Sequence, residues 1–507
     1  MAPNEPKESV SETTGPREQD PPYHILSKQQ KWNLVIFVSL AGSFSPLSSN
    51  IYFPALETIS KDIGVNATLV ALTVTVYMIV QGIAPSLFAA ISDTCGRRLT
   101  FTISLTIYTA ANLALAFTAN YPMLMVLRGL QAAGSAATIS VSAGVIADIA
   151  YPGERGGFMG TNAGLRMCGQ AIGPILGGGL NNAWGFRSIF WFLFSLSAIV
   201  LCVLLIFLPE TQRSIAGNGS IPLSGFQRPL AYMIRAPSAW SEHGGTPEPS
   251  KARPKISWKK AFSPLKYILE KDIAALLAWG AVAYTAWSMV TSSTTHMLLY
   301  GFPYLAQWQI GLCFLPNGLG CVCGSLSTGW LLDQSFKQVQ VRYRRERGIP
   351  AEENVLHRSD FPYIEGRLRL MPLFSIGLII SLALYGPSFE FNDLRREFGP
   401  NLAAPLILQF IIAFTSTSIF NVNSTVLIDC FPDRPASATA LNNLCRCLLG
   451  AAGVSAIQPM IGAVRVMKAF LIVTGIVVAC TPLVWAQWRW GEKWRKERQK
   501  RIAVSGK

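Results

Sequence analysis

Residues Gly156–Gly179 read GGFMGTNAGLRMCGQAIGPILGGG. The stretch is long enough and apolar enough to cross a bilayer, which takes about 20 residues. It nevertheless carries a full charge, Arg166, with Asn162 one turn before it and Gln170 one turn after. Gly169, Gly173-Pro174 and Gly177-Gly178 follow. At about 100° per residue, Asn162, Arg166, Gln170, Gly173 and Gly177 share one stripe of a helix. The first half of that stripe is polar, and the second half has almost no side chain. An arginine at mid-membrane costs about 2.5 kcal/mol or more. Such a stripe therefore faces a partner or a wet cavity, not lipid.

The rest of the chain agrees with a membrane setting. Half of the 507 residues are hydrophobic and only 14% are charged, against about a quarter in soluble domains. The formal net charge of +15 does not point to nucleic acid, because the basic residues fall in loops and tails between apolar runs. Most of the ten cysteines lie inside those runs and read as small buried residues. Cys321-x-Cys323 and Cys445-x-Cys447 lack metal-site spacing, so neither metal nor cofactor is expected. The composition shows no nucleophile–base pair or phosphate loop, so an enzyme is not expected either.

Twelve apolar segments can be counted, six on each side of a polar stretch rich in Pro, Gly, Ser and Lys. The expected fold class is an all-α membrane protein with twelve transmembrane helices in two six-helix bundles. Residues 1–32 form a polar tail, expected to be disordered. Residues 33–210 are the first bundle, 211–264 a linker, 265–488 the second bundle and 489–507 a basic tail expected to lie on anionic lipid. Lys and Arg concentrate at Arg97-Arg98, in the linker, at Arg342–Arg347 and at Arg489–Arg501. By the positive-inside rule these are cytoplasmic, as are both termini. Asn66-Ala67-Thr68 then lies outside, where Asn66 can be glycosylated.

The two halves look duplicated. Asp148-x-x-x-Pro152 precedes Arg166, and Asp429-x-x-Pro432-Asp433-Arg434 precedes Arg446. The aspartate-to-arginine spacing is 18 residues in one copy and 17 in the other. Each arginine has an asparagine four residues before it, Asn162 and Asn442. Repeats of this kind place a substrate near the midplane between bundles.

On these residues the chain resembles the major facilitator superfamily, in its twelve-spanner drug:proton antiporter branch. Asp93, Gly96, Arg97 and Arg98 match the loop motif between helices two and three, with Ala89 where glycine is usual. Arg128-x-x-Gln131 matches the helix-four motif, with Ala132 in place of glycine, and Gly169–Gly178 matches the helix-five motif in full. Ser45–Pro54, Leu130–Thr138, Trp287–Thr295 and Asn442–Gly450 carry a narrower resemblance to fungal citrate exporters. The resemblance implies a monomeric secondary transporter of the cell membrane.

Charge then selects the substrate. Arg128, Arg166 and Arg446 lie inside spans, whereas Asp93, Asp148, Asp333, Asp429 and Glu57 lie at span ends. A cationic drug finds no counter-charge, while a carboxylate matches the planar donor fork of arginine. Arg166 and Arg446 are expected to face each other and bind one di- or tricarboxylate, with Asn162, Gln170 and Asn442 as neutral donors. The alternative is a structural network of the two arginines with backbone carbonyls. Ser49, with Ser48 and Asn50, and Ser293, with Ser292, either line the remaining walls or pack helices. Arg128 is expected to pair with Gln131 and the helix-one backbone as a coupling or structural element, the alternative being a direct contact with substrate. Asp93, Arg97 and Arg98 are expected to latch the two halves. Gly173, Pro174 and Gly177 are expected either to form a tight outer contact with the other bundle or to serve ordinary helix packing. The leading function is export of an organic polycarboxylate. The alternative is an efflux pump for drugs or anionic metabolites. A transporter-like nutrient receptor is disfavoured by short, featureless tails.

Overall fold

The computed structural model describes residues 24–150, 154–223, 225–234, 263–350, 363–394, 401–430 and 435–505. Pro152, Asp433 and Arg434 of the repeat, and the Asp333 side chain, lie outside what is described. Twelve spans follow in order. They are α1 Lys28–Ile63, broken at Ser43 and again at Phe53–Ala55, α2 Ala67–Cys95, α3 Arg97–Ala116, α4 Tyr121–Ile149, α5 Arg155–Trp184 and α6 Arg187–Phe207. The second six are α7 Lys271–Gly301, α8 Gln307–Arg347, α9 Met371–Leu394, α10 Ala403–Cys430, α11 (435–464) and α12 (466–505). The last two run together except at Arg465, whose φ of 67° breaks the helix.

Ten helical stretches are long and apolar enough to cross a membrane, counting the last two spans as one. The span missing from that set is α5, the stretch quoted first. Its 30 residues give ample length. Its glycines, asparagines and Arg166 take it below the apolar average that a lipid-facing helix needs. The other helices shield it instead. On one side it packs against α1 and on the other against α8.

Each half has its own core. Val35, Phe101, Tyr108, Val145 and Leu193 centre the first, and Trp279, Leu378, Tyr385, Ile419 and Phe470 the second. The first core also takes in Leu298, Phe302, Ile310 and Phe314 of the second half. The bundles therefore fuse at the end remote from the termini. There Phe53 stacks on Phe314 with ring centroids 6.3 Å apart, and Thr295 Oγ1 donates to the Phe53 carbonyl at 2.9 Å. Toward the termini-bearing end, a Cβ on Gly157, Gly160 or Gly164 of α5 would meet nothing within 4 Å. Gly160 and Gly164 share a helix face with Ala171 and Gly178, which do touch α8. The same face of α5 is thus packed in its remote half and open in its near half.

The duplication is visible in ion pairs. Arg97 at the start of α3 donates to Asp148 at the end of α4, at 2.9 Å. Arg367, just before α9, donates to Asp429 at the end of α10, at 3.0 Å. Here the residues of the expected latch touch nothing in the second bundle among the described residues, at the end where α5 is open. Arg97 also pairs with Asp93 at 2.6 Å, and Arg98 donates to the Leu204, Leu205 and Leu208 carbonyls that end α6. Glu210 accepts from the Arg97 and Arg98 amides and caps α3. Every one of these partners belongs to the first bundle, so the motif braces α2, α3, α4 and α6 together. Gly96 is required at this turn. Its φ is 107°, and a Cβ there would run into the Glu210 carboxylate.

Residues 24–32 and 211–223 are described and touch one another. Ser27 and Gln30 form a capping box that starts α1. Ahead of it, the Ile25 amide donates to the Asn218 carbonyl at 3.0 Å, so the tail docks on the linker. Burial, with Lys31 and Arg213 nearby, pushes the His24 imidazole down from 6.5 to about 4. A depressed histidine pKa gives stability that is present above the unfolded value and lost as pH falls through the folded one. The protection factor of the Ile25 amide should therefore drop between pH 6.5 and about 4, measured by hydrogen exchange. A constant protection factor across that window would contradict the docking.

α12 runs on past Trp488 to Ser505, so much of the basic tail is helix. Arg498 donates to Asp272 at the start of α7 at 3.0 Å, with side-chain exposures of 3% and 2%. Arg501 reaches Glu270 at 2.7 Å. Asp272→Ala removes the carboxylate of this buried ion pair, a change that costs about 3–5 kcal/mol. A clear fall in the melting temperature of the purified protein is expected, and an unchanged melt would argue against the clamp.

Candidate functional site

α5 and α11 are the fifth helices of their bundles, and each carries its arginine near the middle of the chain's thickness. Arg166 is half-buried and makes no hydrogen bond or ion pair among the described residues, and its Nε is buried without a partner. Arg446 is the charged side chain close enough to act on it. One turn before Arg166, Asn162 is 2% exposed and its Oδ1 is unpartnered. One turn before Arg446, Asn442 is equally buried and its Nδ2 is unpartnered. Buried polar groups almost always find partners. An orphaned amide atom thus recurs one turn before each arginine, and Asn162 Oδ1 lies beside Gly42 of α1.

Arg446 is held more tightly than Arg166. Its guanidinium lies 4.7 Å from the Tyr284 ring centroid and 4.8 Å from that of Phe420. Its Nε and Nη2 both donate to Asn443 Oδ1, at 3.1 and 2.7 Å. Asn443 Nδ2 donates in turn to the Gln81 carbonyl of α2 at 3.0 Å, across the bundle boundary. Asn443, Tyr284, Phe420 and Gln81 escape a reading of the sequence. The repeat singles out Asn442 because it sits four residues before its arginine, as Asn162 does. In a helix the positions three and four before are both within reach, and it is the nearer one that bonds. Tyr284 and Phe420 come from α7 and α10 and share no sequence neighbourhood with Arg446.

The other expected positions divide. Gln170 Nε2 donates to Cys321 Sγ at 3.1 Å, which ties α5 to α8 beside the site. Ser49 is half-buried and makes no hydrogen bond among the described residues. Ser293 is corrected. It is fully buried and bonds back to the Met289 and Val290 carbonyls of its own helix, so it packs α7 and lines nothing. Ser48 is turned inward to the Tyr108 hydroxyl at 2.5 Å.

Arg128 is fully buried within the first bundle. It is sandwiched between Tyr52 and Tyr77, at 4.0 and 4.4 Å from their centroids. It donates to Gln131 Oε1 at 2.5 Å and, at 3.5 Å, to the Ser48 carbonyl of α1. Gln131 then donates to Asn112 at 2.7 Å. Two aromatic faces stand where a carboxylate would otherwise balance the charge.

The glycine stripe also needs a correction. Cβ atoms on Gly169, Gly173 and Gly177 would meet Ser43, Leu47, Asn50 and Ile51, all in α1 of the same bundle. The contact with the other bundle is made by the adjacent face. A Cβ on Gly178 would come within 2.8 Å of Gln307 O and Gly311 Cα, and one on Gly311 within 2.8 Å of Pro174 O. The glycine stripe is thus a contact with α1, and the contact with α8 lies on the neighbouring face that carries Pro174 and Gly178. Pro174 keeps its expected place against the second bundle, and Gly173 and Gly177 do not.

Two six-helix bundles, joined at one end and open along α5 at the other, with an arginine at matching positions of the two fifth helices, define a membrane transporter. The chain belongs to the Major Facilitator Superfamily, whose sequence profile matches residues 38–454. It is 46% identical over 488 residues to Citrate exporter 1 of Aspergillus niger, covering 96% of this chain and 90% of that one. It is 31% identical to Quinidine resistance protein 1 of Saccharomyces cerevisiae over 91% of this chain and 84% of that one. The fold matches the partially occluded inward open form of the xylose transporter XylE from E. coli, with a TM-score of 0.61 at 14% identity, covering 91% and 98% of the two chains.

Proposed function

We propose that this transporter exports an organic polycarboxylate, citrate first, across the plasma membrane. The observation that carries the reading is Arg166, a guanidinium with no partner among the described residues and Arg446 as its charged neighbour. Two cations held together with no acid between them suit a ligand with at least two carboxylates. Arg166 and Arg446 each take one carboxylate, and Asn162, Asn442 and Gln170 address the remaining oxygens. The named activity of the Aspergillus relative supports the same substrate class. Both termini are cytoplasmic in this reading, so the open end receives the cytoplasmic anion. The inside-negative potential then drives export by about 2.3 kcal/mol per net charge per 100 mV. Without a mid-membrane carboxylate, any proton that accompanies export travels on the substrate. Gly178 and Pro174 close the outer gate, and the Arg128–Gln131 pair and the Asp93–Arg98 brace keep the first bundle rigid as it rocks. Asn66 remains available as an acceptor for glycan, because only its Oδ1 is used, to cap α2.

The drug-efflux alternative is favoured by the relative named for quinidine resistance. Against it, the aromatic faces nearest the site, Tyr284 and Phe420, are occupied by Arg446. The deciding experiment is expression in a fungal cell that lacks organic-acid exporters, with acids in the medium profiled. Citrate or a related di- or tricarboxylate should accumulate. Unchanged acids together with resistance to a cationic drug would transfer the function to the alternative.

A further inference from the structure

The edge of Arg446 that would best receive a carboxylate is already filled. Side-on recognition uses Nε and one terminal nitrogen in parallel. In this structure both of those atoms point at Asn443 Oδ1, at 3.1 and 2.7 Å. The Tyr284 and Phe420 rings also lie against the guanidinium. Asn443 is therefore a neutral stand-in for a carboxylate on the edge a substrate needs. The same side chain holds the two bundles together. Its Nδ2 donates to the Gln81 carbonyl, halfway along α2. From Gln81 the bonds continue into the first bundle. Gln81 Nε2 donates to Ser45 Oγ at 2.8 Å, and Tyr77, which stacks on Arg128, donates to the Ser45 carbonyl at 3.0 Å. Nearer the closed end the same pair of helices is joined by Thr75 and Ser455, whose hydroxyls lie 2.7 Å apart.

We infer that Asn443 is a positioning residue that ties occupancy of Arg446 to release of the bundle contact. This rests on the assignment of a substrate carboxylate to Arg446. An incoming carboxylate makes two charge-assisted bonds to Nε and Nη2, each stronger than the neutral bond it replaces. The displaced Asn443 amide can no longer hold both Oδ1 on Arg446 and Nδ2 on Gln81. The interbundle bond at the midpoint weakens, and the closed end is free to part. In the empty protein the amide shields Arg446 and keeps the closed end shut, which suppresses transport without cargo.

Two substitutions separate the two halves of this role. Asn443→Ala removes both the competitor and the crossing bond. Asn443→Asp puts a charged competitor on Arg446 and removes the donor to Gln81. In proteoliposomes assayed with citrate, the half-saturating concentration should fall about 3- to 10-fold in the alanine variant. It should rise at least about 10-fold in the aspartate variant. A purely structural asparagine would move both in the same direction or neither, and that result overturns the inference. A second readout is a disulfide between Thr75→Cys and Ser455→Cys, mapped by peptide mass. It should form readily in the parent without citrate and decline with citrate, and in Asn443→Ala it should be low throughout. A citrate response identical to the parent's would also overturn the inference. Arg446→Ala distinguishes this from a failure of the functional reading. If that variant binds citrate normally, the substrate assignment fails. If it loses citrate while the Asn443 variants behave as the parent, only the present inference fails.

Discussion

Arg166→Ala and Arg446→Ala each cut citrate export by roughly 30- to 700-fold while the protein still reaches the cell surface. A buried charge-assisted pair is worth about 2–4 kcal/mol to a bound anion, and 1.4 kcal/mol is tenfold. The two variants should differ in stability. Arg166 makes no hydrogen bond among the described residues, and its Nε is buried. Removing it deletes a desolvated charge and breaks nothing, so its melting temperature should hold or rise as export collapses. Arg446 is bonded to Asn443 and flanked by two rings. Its loss leaves a gap between Tyr284 and Phe420, and the melt should fall. Arg166→Lys keeps the charge without the planar fork, so export should lie between parent and alanine variant. Thermal melts and efflux on the same preparations check all three. Normal export by Arg166→Ala at normal surface level would remove Arg166 from the site.

Among the described glycines, Gly177 should be the one where an added methyl group does most damage. A Cβ at this position would overlap the Ile51 carbonyl oxygen and carbon of α1. A backbone carbonyl cannot rotate away as a side chain can, so α1 and α5 would have to separate. Overpacking of this kind costs about 3 kcal/mol or more. Gly160→Ala, in the open half of the same helix, meets nothing within 4 Å. It should be neutral or stabilising, since alanine favours a helix over glycine by about 1 kcal/mol. Expression level and melting temperature of the two variants, side by side, test the assignment of packed and open halves. Equal tolerance at both positions would show that α5 does not lean on α1 as described.

The fold was legible because its evidence is additive along the chain. Apolar runs, loop charges and turn residues each report locally, and twelve spans in two halves follow from them. Arg446 was legible because duplication carries the oddity of Arg166 to a second helix. What escaped depends on directions that a helical wheel does not contain. Gly173 and Gly177 share a stripe with Arg166, yet the helix lies in a corner between α1 and α8, so neighbouring positions meet different bundles. Ser293 has the composition of a cavity residue, but its hydroxyl is satisfied by its own backbone. Asp93, Arg97 and Arg98 sit at an edge where a latch between halves is sterically reasonable. The unforeseen term was Glu210, which caps α3 from the end of α6 and draws the motif into one bundle. Apolar windows also mark the membrane, not the helix ends, so the extensions of α8 to Arg347 and α12 to Ser505 were invisible to them.

The central claim is that Arg166 and Arg446 together form one polycarboxylate site, and citrate binding to the purified protein tests it most directly. Calorimetric titration of the parent should show one site, weakened at least about 30-fold by either alanine substitution. The double variant should bind more weakly than either single one, because each arginine takes its own carboxylate of the same ligand. Citrate binding that survives both substitutions unchanged would contradict the account.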